Sequence, residues 1–212
     1  MDEGTFKASV SDGIANTDRS SARVPEKTMS SKDGVHIVVC GAESTGKTSL
    51  ITAAATESFP ETVAPKLPVT RLPGSTLQDG ADAFLIDTSS RQEDRAKRME
   101  ECHRAHVIVM TYAVDDLSTL RYLSRSLLPA LREEGITVPI VLVGCKLDTR
   151  PDGSETSEAE IVDLMNDFRE IETCLECSAK KLIQVSALPS VFRLIPCMLP
   201  VAPSTRPGQK GF

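Results

Sequence analysis

The sequence lacks a cluster of lysine and arginine residues that could form a basic surface. Its 212 residues carry 24 basic and 30 acidic side chains, for a formal net charge of -6. Proteins that bind nucleic acid present a basic patch or stripe. We therefore expect no nucleic acid among the partners, and an anionic ligand would need a local site.

Long apolar runs are also missing. The longest clean run, residues 106–114, has about half of the roughly 20 residues needed to cross a bilayer, and it is typical of a buried strand. The sequence therefore predicts no transmembrane segment in this chain.

The six cysteines do not form the pattern of a disulfide framework. They are scattered along the chain and no signal-peptide pattern precedes them, which favours a reduced, cytosolic setting. Cys174 and Cys177 make a single Cys-x-x-Cys pair, with no second pair and no histidine at metal-binding spacing. This favours two ordinary strand cysteines over a zinc or redox site.

Composition divides the chain into a leader, one domain and a tail. Residues 1–33 are rich in Ser, Thr, Asp, Gly and Lys without apolar periodicity, which predicts a disordered leader, and their acidic residues argue against a transit peptide. We expect one domain over 34–188 and an irregular, proline-rich tail over 189–212. The prolines limit a closing helix to about 181–188, with a second short helix near 190–195. A truncated or alternatively spliced product is favoured over an amphipathic membrane contact for this tail.

The stretch 35–49 carries the most specific motif. An apolar, β-branched run over 35–40 predicts a strand buried on both faces, 41–48 fits G-x-x-x-x-G-K-[ST], and a helical pattern follows over 49–57. Backbone N–H groups of such a loop bind phosphate oxygens, Lys47 reaches the terminal phosphates, and the Thr48 hydroxyl is a magnesium ligand. The predicted nucleotide-binding residues here are Glu43, Ser44, Thr45, Gly46, Lys47, Thr48 and Ser49.

Two further residues are candidate magnesium ligands. Residues 58–73 contain four prolines and little periodicity, so they predict a long functional loop. Within it, Thr70 is a better candidate than Thr62 because it lies just before the next strand, and we predict Lys47 and Thr70 as catalytic residues. Asp87 ends a predicted buried strand about 40 residues after Lys47, where a magnesium-linked acid is expected, although a helix-capping role is the alternative.

Strands and crossover helices alternate through the rest of the domain. Asp79-Gly80 predicts a hairpin between strands 71–78 and 81–86. The pattern then predicts three helices, each followed by a strand. The helices are an exposed one over 93–104, one over 117–134 stopped by Gly135, and one to about 169 with a Ser157/Glu160 capping box. The strands cover 106–113, 138–144 and 172–177. We therefore expect an α/β fold with a six-stranded, mostly parallel sheet, one antiparallel edge strand and helices on both faces.

Four motifs together resemble the Ras-like small GTPases: the loop GAESTGKT, Asp87, the segment CKLD and the segment CSAK, in that family's order and at about its spacing. The resemblance implies a three-layer P-loop NTPase fold that binds GTP or GDP with Mg2+. It places Asp148 on the guanine N1 and N2 groups, Lys146 along the base, and Ala179 with its neighbours Ser178 and Lys180 at the guanine carbonyl. A carboxylate matches the paired donors of guanine, whereas it would face an unpaired acceptor of adenine.

Within that superfamily the sequence resembles the first GTPase domain of the mitochondrial Rho (Miro) GTPases, especially the plant forms. The segments AAATESFP, LPVTRLP, IDTSSRQEDR and VGCKLD carry this likeness. It implies regulatory and effector proteins as partners, a role in mitochondrial trafficking and morphology, and a place on the cytosolic side of the mitochondrial outer membrane. The family's EF hands and tail anchor have no counterpart in this sequence, so we do not expect calcium binding or anchoring by this polypeptide.

Two departures from the Ras pattern bear on catalysis. Arg91 stands where the family usually has the glutamine that orients the attacking water, with Gln92 one residue out of register, and Glu43 stands where many relatives keep a glycine. We therefore expect a magnesium-dependent switch with slow intrinsic hydrolysis. The alternative is a GTP- or GDP-binding interaction module with little or no hydrolysis. A third reading, a phosphate-loop kinase that prefers ATP, is disfavoured by Asp148 and the Ser178-Ala179 pair.

Overall fold

A computed structural model describes residues 34–72, 82–150 and 158–185. The predicted leader, 1–33, and the predicted tail, 189–212, lie outside these residues. The strands are β1 (Val35–Gly41), β2 (Thr70–Leu72), β3 (Ala83–Asp87), β4 (Val107–Ala113), β5 (Ile140–Cys145) and β6 (Ile171–Glu176). The helices are α1 (Lys47–Thr56), α2 (Arg95–Arg104), α3 (Leu117–Tyr122), α4 (Leu128–Glu133) and α5 (Glu158–Asp167).

The six strands form one sheet in the order β2-β3-β1-β4-β5-β6. The β2–β3 pair is antiparallel and the other pairs are parallel, so the predicted mostly parallel sheet with one antiparallel edge strand is confirmed. Every residue of β4 and β5 is buried, as expected for parallel strands covered on both faces. The carboxyl ends of β1, β3, β4 and β5 therefore meet at one edge of the sheet, where the loops that follow them can form a site.

Alternating side chains of the central strands fill a core on each face of the sheet. On one face Ile37 and Val39 pack with Leu50 and Ile51 of α1. On the other face the neighbouring strand residues Val38 and Cys40 pack with apolar residues from α2, α3, α4 and α5, including Met99, Leu120, Leu131 and Leu164. The prediction of helices on both faces is confirmed. None of the described helices is both long enough and apolar enough to cross a membrane.

The predicted helix over 117–134 is interrupted rather than regular. A π-helical segment, Leu123–Leu127, separates α3 from α4, and the Leu128 N–H bonds to the Leu123 carbonyl five residues back. Pro129 lies at the start of α4 and has no N–H to donate to the carbonyl four residues before it, so the helix accommodates a local change of hydrogen-bond pattern there. Gly135 follows with a φ of 69°, as predicted for the stop.

The closing helix predicted from Lys181 is wrong over the described residues 181–185. These residues form turns, because the Ser178 N–H donates to the Ile183 carbonyl and the Ile183 N–H donates back to the Ser178 carbonyl. Leu182 is 43% exposed, whereas Val185 is buried. The rest of the two predicted tail helices, the Asp79-Gly80 turn and Ser157 of the capping box lie outside the described residues.

Candidate functional site

The loop between β1 and α1 follows a path that glycine makes accessible. A Cβ atom at Gly41 would lie 2.4 Å from the Thr111 carbonyl oxygen, so no side chain fits there. Further along, Ser44 and Gly46 have φ values of 59° and 102°, in the left-handed region. Successive backbone N–H groups in such turns form a concave anion-binding surface.

A buried pair of threonines fixes this loop to the sheet. The hydroxyl oxygens of Thr45 in the loop and Thr111 on β4 are 2.7 Å apart, and both residues are fully buried. Thr45 also lies 3.1 Å from the Ala42 carbonyl, and Thr111 lies 3.2 Å from the Cys40 carbonyl. Each hydroxyl has one proton, so one threonine donates to the other, and the second donates to its nearby carbonyl, that of Ala42 for Thr45 or of Cys40 for Thr111. Sequence reasoning missed Thr111; its signal is a lone threonine within the apolar run of β4.

Backbone carbonyls of the phosphate loop hold the Lys47 side chain. Its Nζ donates to the carbonyls of Gly41 at 3.2 Å and Ala42 at 2.6 Å, and the residue is 8% exposed. Burial lowers the pKa of Lys47 below its ordinary value of 10.5, while the negative charge of Asp87 acts in the opposite direction. A phosphate group placed in the loop would favour the charged ammonium.

Thr48 and Asp87, two of the predicted magnesium ligands, are brought together. The Thr48 hydroxyl donates to Asp87 Oδ2 at 2.9 Å, and the Leu67 N–H donates to the same oxygen at 3.1 Å. Asp87 is 4% exposed, and its Oδ1 has no hydrogen-bond partner among the described residues. A buried carboxylate oxygen with spare capacity next to a hydroxyl is the hard oxygen chemistry that Mg2+ prefers, so these residues fit the ion.

The two side chains brought together here, Thr48 and Asp87, would leave most positions of the octahedral shell of Mg2+ to other ligands. The described part of the chain contains no group of three or more His, Cys, Asp and Glu side chains arranged to hold a metal. Mg2+ is commonly held by one or two carboxylates together with phosphates of the bound ligand. The site thus favours a metal that enters with a nucleotide.

Thr70, the third predicted ligand and a predicted catalytic residue, lies elsewhere. It begins β2, pairs with Leu85 of β3, and its hydroxyl donates to the Pro68 carbonyl at 3.1 Å. It does not line the cleft beside the phosphate loop, which receives Val63, Pro65 and Lys66 from the same segment. Its role stays a prediction and would require this segment to move.

A cleft of about 660 Å³ runs along the phosphate loop. Besides the segment 63–66, three parts of the chain line it: the loop itself, the residues that follow β3, and Lys146 after β5. Their lining residues are Glu43, Ser44, Gly46, Lys47, Thr48, Ser49, Thr88, Ser89, Ser90, Arg91, Asp94 and Lys146. Glu43 is exposed, and the Arg91 side chain is 74% exposed and 3.4 Å from Glu93. The two departures from the Ras pattern therefore lie in the same cleft as the phosphate loop.

The residues predicted to recognise the base form a second group, apart from the phosphate loop with Thr48 and Asp87. The Ser178 hydroxyl donates to Asp148 Oδ1 at 2.6 Å and accepts the Lys181 N–H at 3.0 Å, so a serine 30 residues further along the chain holds this carboxylate. Lys146 has a φ of 63°, and its ammonium lies 3.7 Å from Asp115, a residue that sequence reasoning missed. Of the remaining predicted residues, Ala179 is partly buried and Lys180 is exposed in the turn after Ser178.

Cys145 lies between the phosphate loop and the group of residues predicted to recognise the base. It ends β5 directly before Lys146, and a Cβ atom at Gly46 would lie 3.4 Å from the Cys145 Cβ. A hydrogen bond with Cys177 and burial hold the pKa of the Cys145 thiol well above its usual range, so the thiol is neutral packing material. Burial likewise raises the pKa of Cys174 to about 11, and both members of the Cys-x-x-Cys pair are free thiols.

Comparison with known proteins agrees with this geometry. The model of the Ras family matches residues 36–195. The chain is 49% identical over 155 residues to Mitochondrial Rho GTPase 1 of Arabidopsis thaliana, covering 73% of this chain and 24% of that protein. It is 43% identical over 162 residues to Mitochondrial Rho GTPase 2 of the same plant, covering 76% and 25%. It is 36% identical over 161 residues to Mitochondrial Rho GTPase 1 of Cryptococcus neoformans, covering 74% and 23%.

These matches span about a quarter of the length of the curated relatives. The matches therefore bear on this domain and not on the remainder of those proteins. The resemblance to the mitochondrial Rho GTPases, first seen in the sequence, is confirmed by the identities. With its six-stranded sheet and the match over 36–195, the chain belongs to the Ras family.

Proposed function

We propose that this chain binds GTP and GDP with Mg2+ and hydrolyses GTP slowly, as a molecular switch. The observation that carries the proposal is the fixed Asp148 carboxylate, bonded by Ser178 and placed beside Lys146, which lines the same cleft as the phosphate loop. A phosphate site alone would suit many nucleotides. A buttressed carboxylate at the other end of the nucleotide favours guanine.

Each part of the site has a distinct task. The loop N–H groups and Lys47 bind the phosphates, and the Asp148 carboxylate accepts the N1–H and N2–H groups of guanine. Adenine would present an acceptor to that carboxylate and leave a buried polar pair unsatisfied, which rejects ATP. Thr48 and Asp87 would hold Mg2+, which neutralises phosphate charge when it is bound.

Slow hydrolysis follows from the residues after β3. Arg91 occupies the position of the water-orienting glutamine, and its guanidinium cannot accept a proton or a hydrogen bond from the attacking water. Its exposed side chain beside Glu93 also favours the second candidate function, a nucleotide-loaded interaction module with little hydrolysis.

Single-turnover phosphate release separates the two candidates. A switch should release phosphate at an intrinsic rate on the order of 10⁻⁴ to 10⁻³ per second, as unassisted Ras-type domains do. Lys47→Ala, checked for retained nucleotide, is the blank for contaminating activity. A rate equal to the blank supports the binding module, and rapid unassisted hydrolysis would refute slow catalysis.

Guanine recognition has its own test in Asp148→Asn. Asparagine offers one acceptor and one donor, which match the N1–H and O2 of xanthine rather than the two donors of guanine. We expect the affinity for GTP to fall at least about a hundredfold and the affinity for XTP to rise. Asp163→Asn, on the exposed face of α5, makes the same charge change away from the site and serves as the control. If both variants bind GTP like the parent chain, Asp148 does not read the base.

From the similarity of the chain to the mitochondrial Rho GTPases, we infer that the domain acts on the cytosolic side of the mitochondrial outer membrane. We infer a role there in mitochondrial trafficking and morphology. Its partners there would be regulatory and effector proteins that distinguish the GTP-bound from the GDP-bound state. Binding to isolated mitochondria, compared between domains loaded with GDP and with a non-hydrolysable GTP analogue, tests this assignment. Equal, undetectable binding in both states would contradict it.

A further inference from the structure

Arg98 of α2 is a buried cation with an unusual set of partners. The residue is 5% exposed, and its Nη1 donates to the Ser89 carbonyl at 2.6 Å and lies 3.4 Å from the Arg91 carbonyl. Its Nε has no hydrogen-bond partner among the described residues, and no ion pair of Arg98 is found there either. A buried charge without a carboxylate partner is costly, which indicates a function beyond packing.

The carbonyls that Arg98 binds belong to the loop 88–91, which follows Asp87 and lines the nucleotide cleft. The loop is fixed at its start as well, because the Thr88 hydroxyl donates to the Val39 carbonyl of β1 at 2.7 Å. Thr88 therefore ties the loop to the sheet, and Arg98 ties it to α2. The carbonyl of this second attachment belongs to the peptide bond that joins Ser89 to Ser90.

The geometry of that peptide bond connects Arg98 to the cleft. In a planar trans peptide the carbonyl and the following N–H point in opposite directions. Since the Ser89 carbonyl points at the Arg98 guanidinium, the Ser90 N–H points away from it, and Ser90 lines the cleft. Releasing the carbonyl would allow this peptide to rotate and would lose the fixed direction of the N–H.

We propose that Arg98 is a positioning residue that aims the Ser90 N–H at the terminal phosphate of GTP and so raises the affinity for GTP relative to GDP. The inference rests on the proposed function, because it assumes that guanine nucleotides occupy the cleft.

The test compares three variants of the full chain. Arg98→Met removes the guanidinium and keeps much of its apolar length, Arg98→Lys keeps the charge but loses the planar fork, and Arg104→Met removes an exposed arginine from the far end of the same helix. The affinities for GDP and for a non-hydrolysable GTP analogue are measured by titration calorimetry with Mg2+. Thermal unfolding is recorded for both loaded forms.

We expect Arg98→Met to lower the ratio of GTP to GDP affinity about tenfold, the loss of one charge-assisted hydrogen bond, with a smaller change in GDP affinity. Arg98→Lys should recover part of the ratio, and Arg104→Met should keep it. A purely structural role would lower the unfolding temperature of both loaded forms equally and leave the ratio unchanged, and that result overturns the proposal. If Arg98→Met does not fold, the ratio in Arg98→Lys decides. Parent chain that binds neither nucleotide overturns the proposed function itself.

Discussion

Removing one hydroxyl from the buried Thr45–Thr111 pair should weaken both the fold and the phosphate loop. Thr111→Val keeps the shape of the side chain and deletes contacts to the Thr45 hydroxyl and the Cys40 carbonyl. Each buried neutral hydrogen bond contributes about 1 kcal/mol net, and an unsatisfied partner adds a similar cost, so we expect a loss of about 2 kcal/mol in the free energy of unfolding. Thr45→Val should cost about as much.

The double variant isolates the contact between the two hydroxyls. Thr45→Val/Thr111→Val loses that contact only once, so its cost should fall short of the sum of the single costs by about 1 kcal/mol. Urea unfolding without nucleotide gives the three values, because bound ligand would add its own linkage energy. Thr56→Val, at the exposed end of α1, is the control and should cost less than about 0.5 kcal/mol.

Additive single costs would refute this reasoning. They would show that the 2.7 Å approach of the two hydroxyls contributes nothing and that another contact holds the loop to β4. Costs near zero for both single variants would further show that the loop is not fixed by this pair. GDP affinity of the same variants is the functional readout, and it should fall together with the stability of the loop.

Two other perturbations have expected outcomes from the structure. Gly41→Ala would drive a Cβ into the Thr111 carbonyl, so we expect nucleotide binding, measured by calorimetry, to be lost. Gly135→Ala has open space, and its left-handed φ should lower the free energy of unfolding, measured in urea, by only about 1 to 2 kcal/mol. Equal outcomes for the two variants would contradict this distinction. Because burial lowers the pKa of Lys47, the unfolded chain binds the Lys47 proton more strongly than the folded chain does. The contribution of Lys47 to the free energy of unfolding without nucleotide should therefore rise as the pH rises toward 10.5. Urea unfolding of Lys47→Met against the parent should show that this part of the rise disappears, and an unchanged slope would contradict it.

The sheet and the phosphate loop could be predicted because their signals are local. The apolar run before Gly41 and the spacing of Gly46, Lys47 and Thr48 predict strand, loop and helix without knowledge of other segments. The predicted antiparallel pairing of the two segments around 79–80 also agrees with β2 and β3, although the turn itself lies outside the described residues.

The partners of the site residues could not be predicted in the same way. Thr111 meets Thr45 across 66 residues of sequence, and Asp115 meets Lys146 only because β4 and β5 are neighbours in the sheet. Arg98 lies within the predicted exposed helix over 93–104, and nothing in the sequence distinguishes its buried guanidinium from the exposed charges beside it. Such contacts depend on the packing of elements, which periodicity does not record.

The error over 181–185 has the same origin. The spacing of Leu182 and Val185 suits a helix, but the backbone of Ser178 pairs with Ile183 and takes the N–H and carbonyl that a helix would use. The turn keeps Ser178 in place to donate to Asp148. A local propensity was therefore overridden by the requirements of the site.

Competition between nucleotides tests the central claim most directly. Purified chain is loaded with a fluorescent GDP in the presence of Mg2+, and unlabelled GTP, GDP and ATP are titrated against it. We predict that GTP and GDP displace the probe, that ATP does so only at concentrations about 10³-fold higher or more, and that removal of Mg2+ weakens the binding of GTP. Equal displacement by ATP and GTP, or failure to bind the probe at all, would contradict the account.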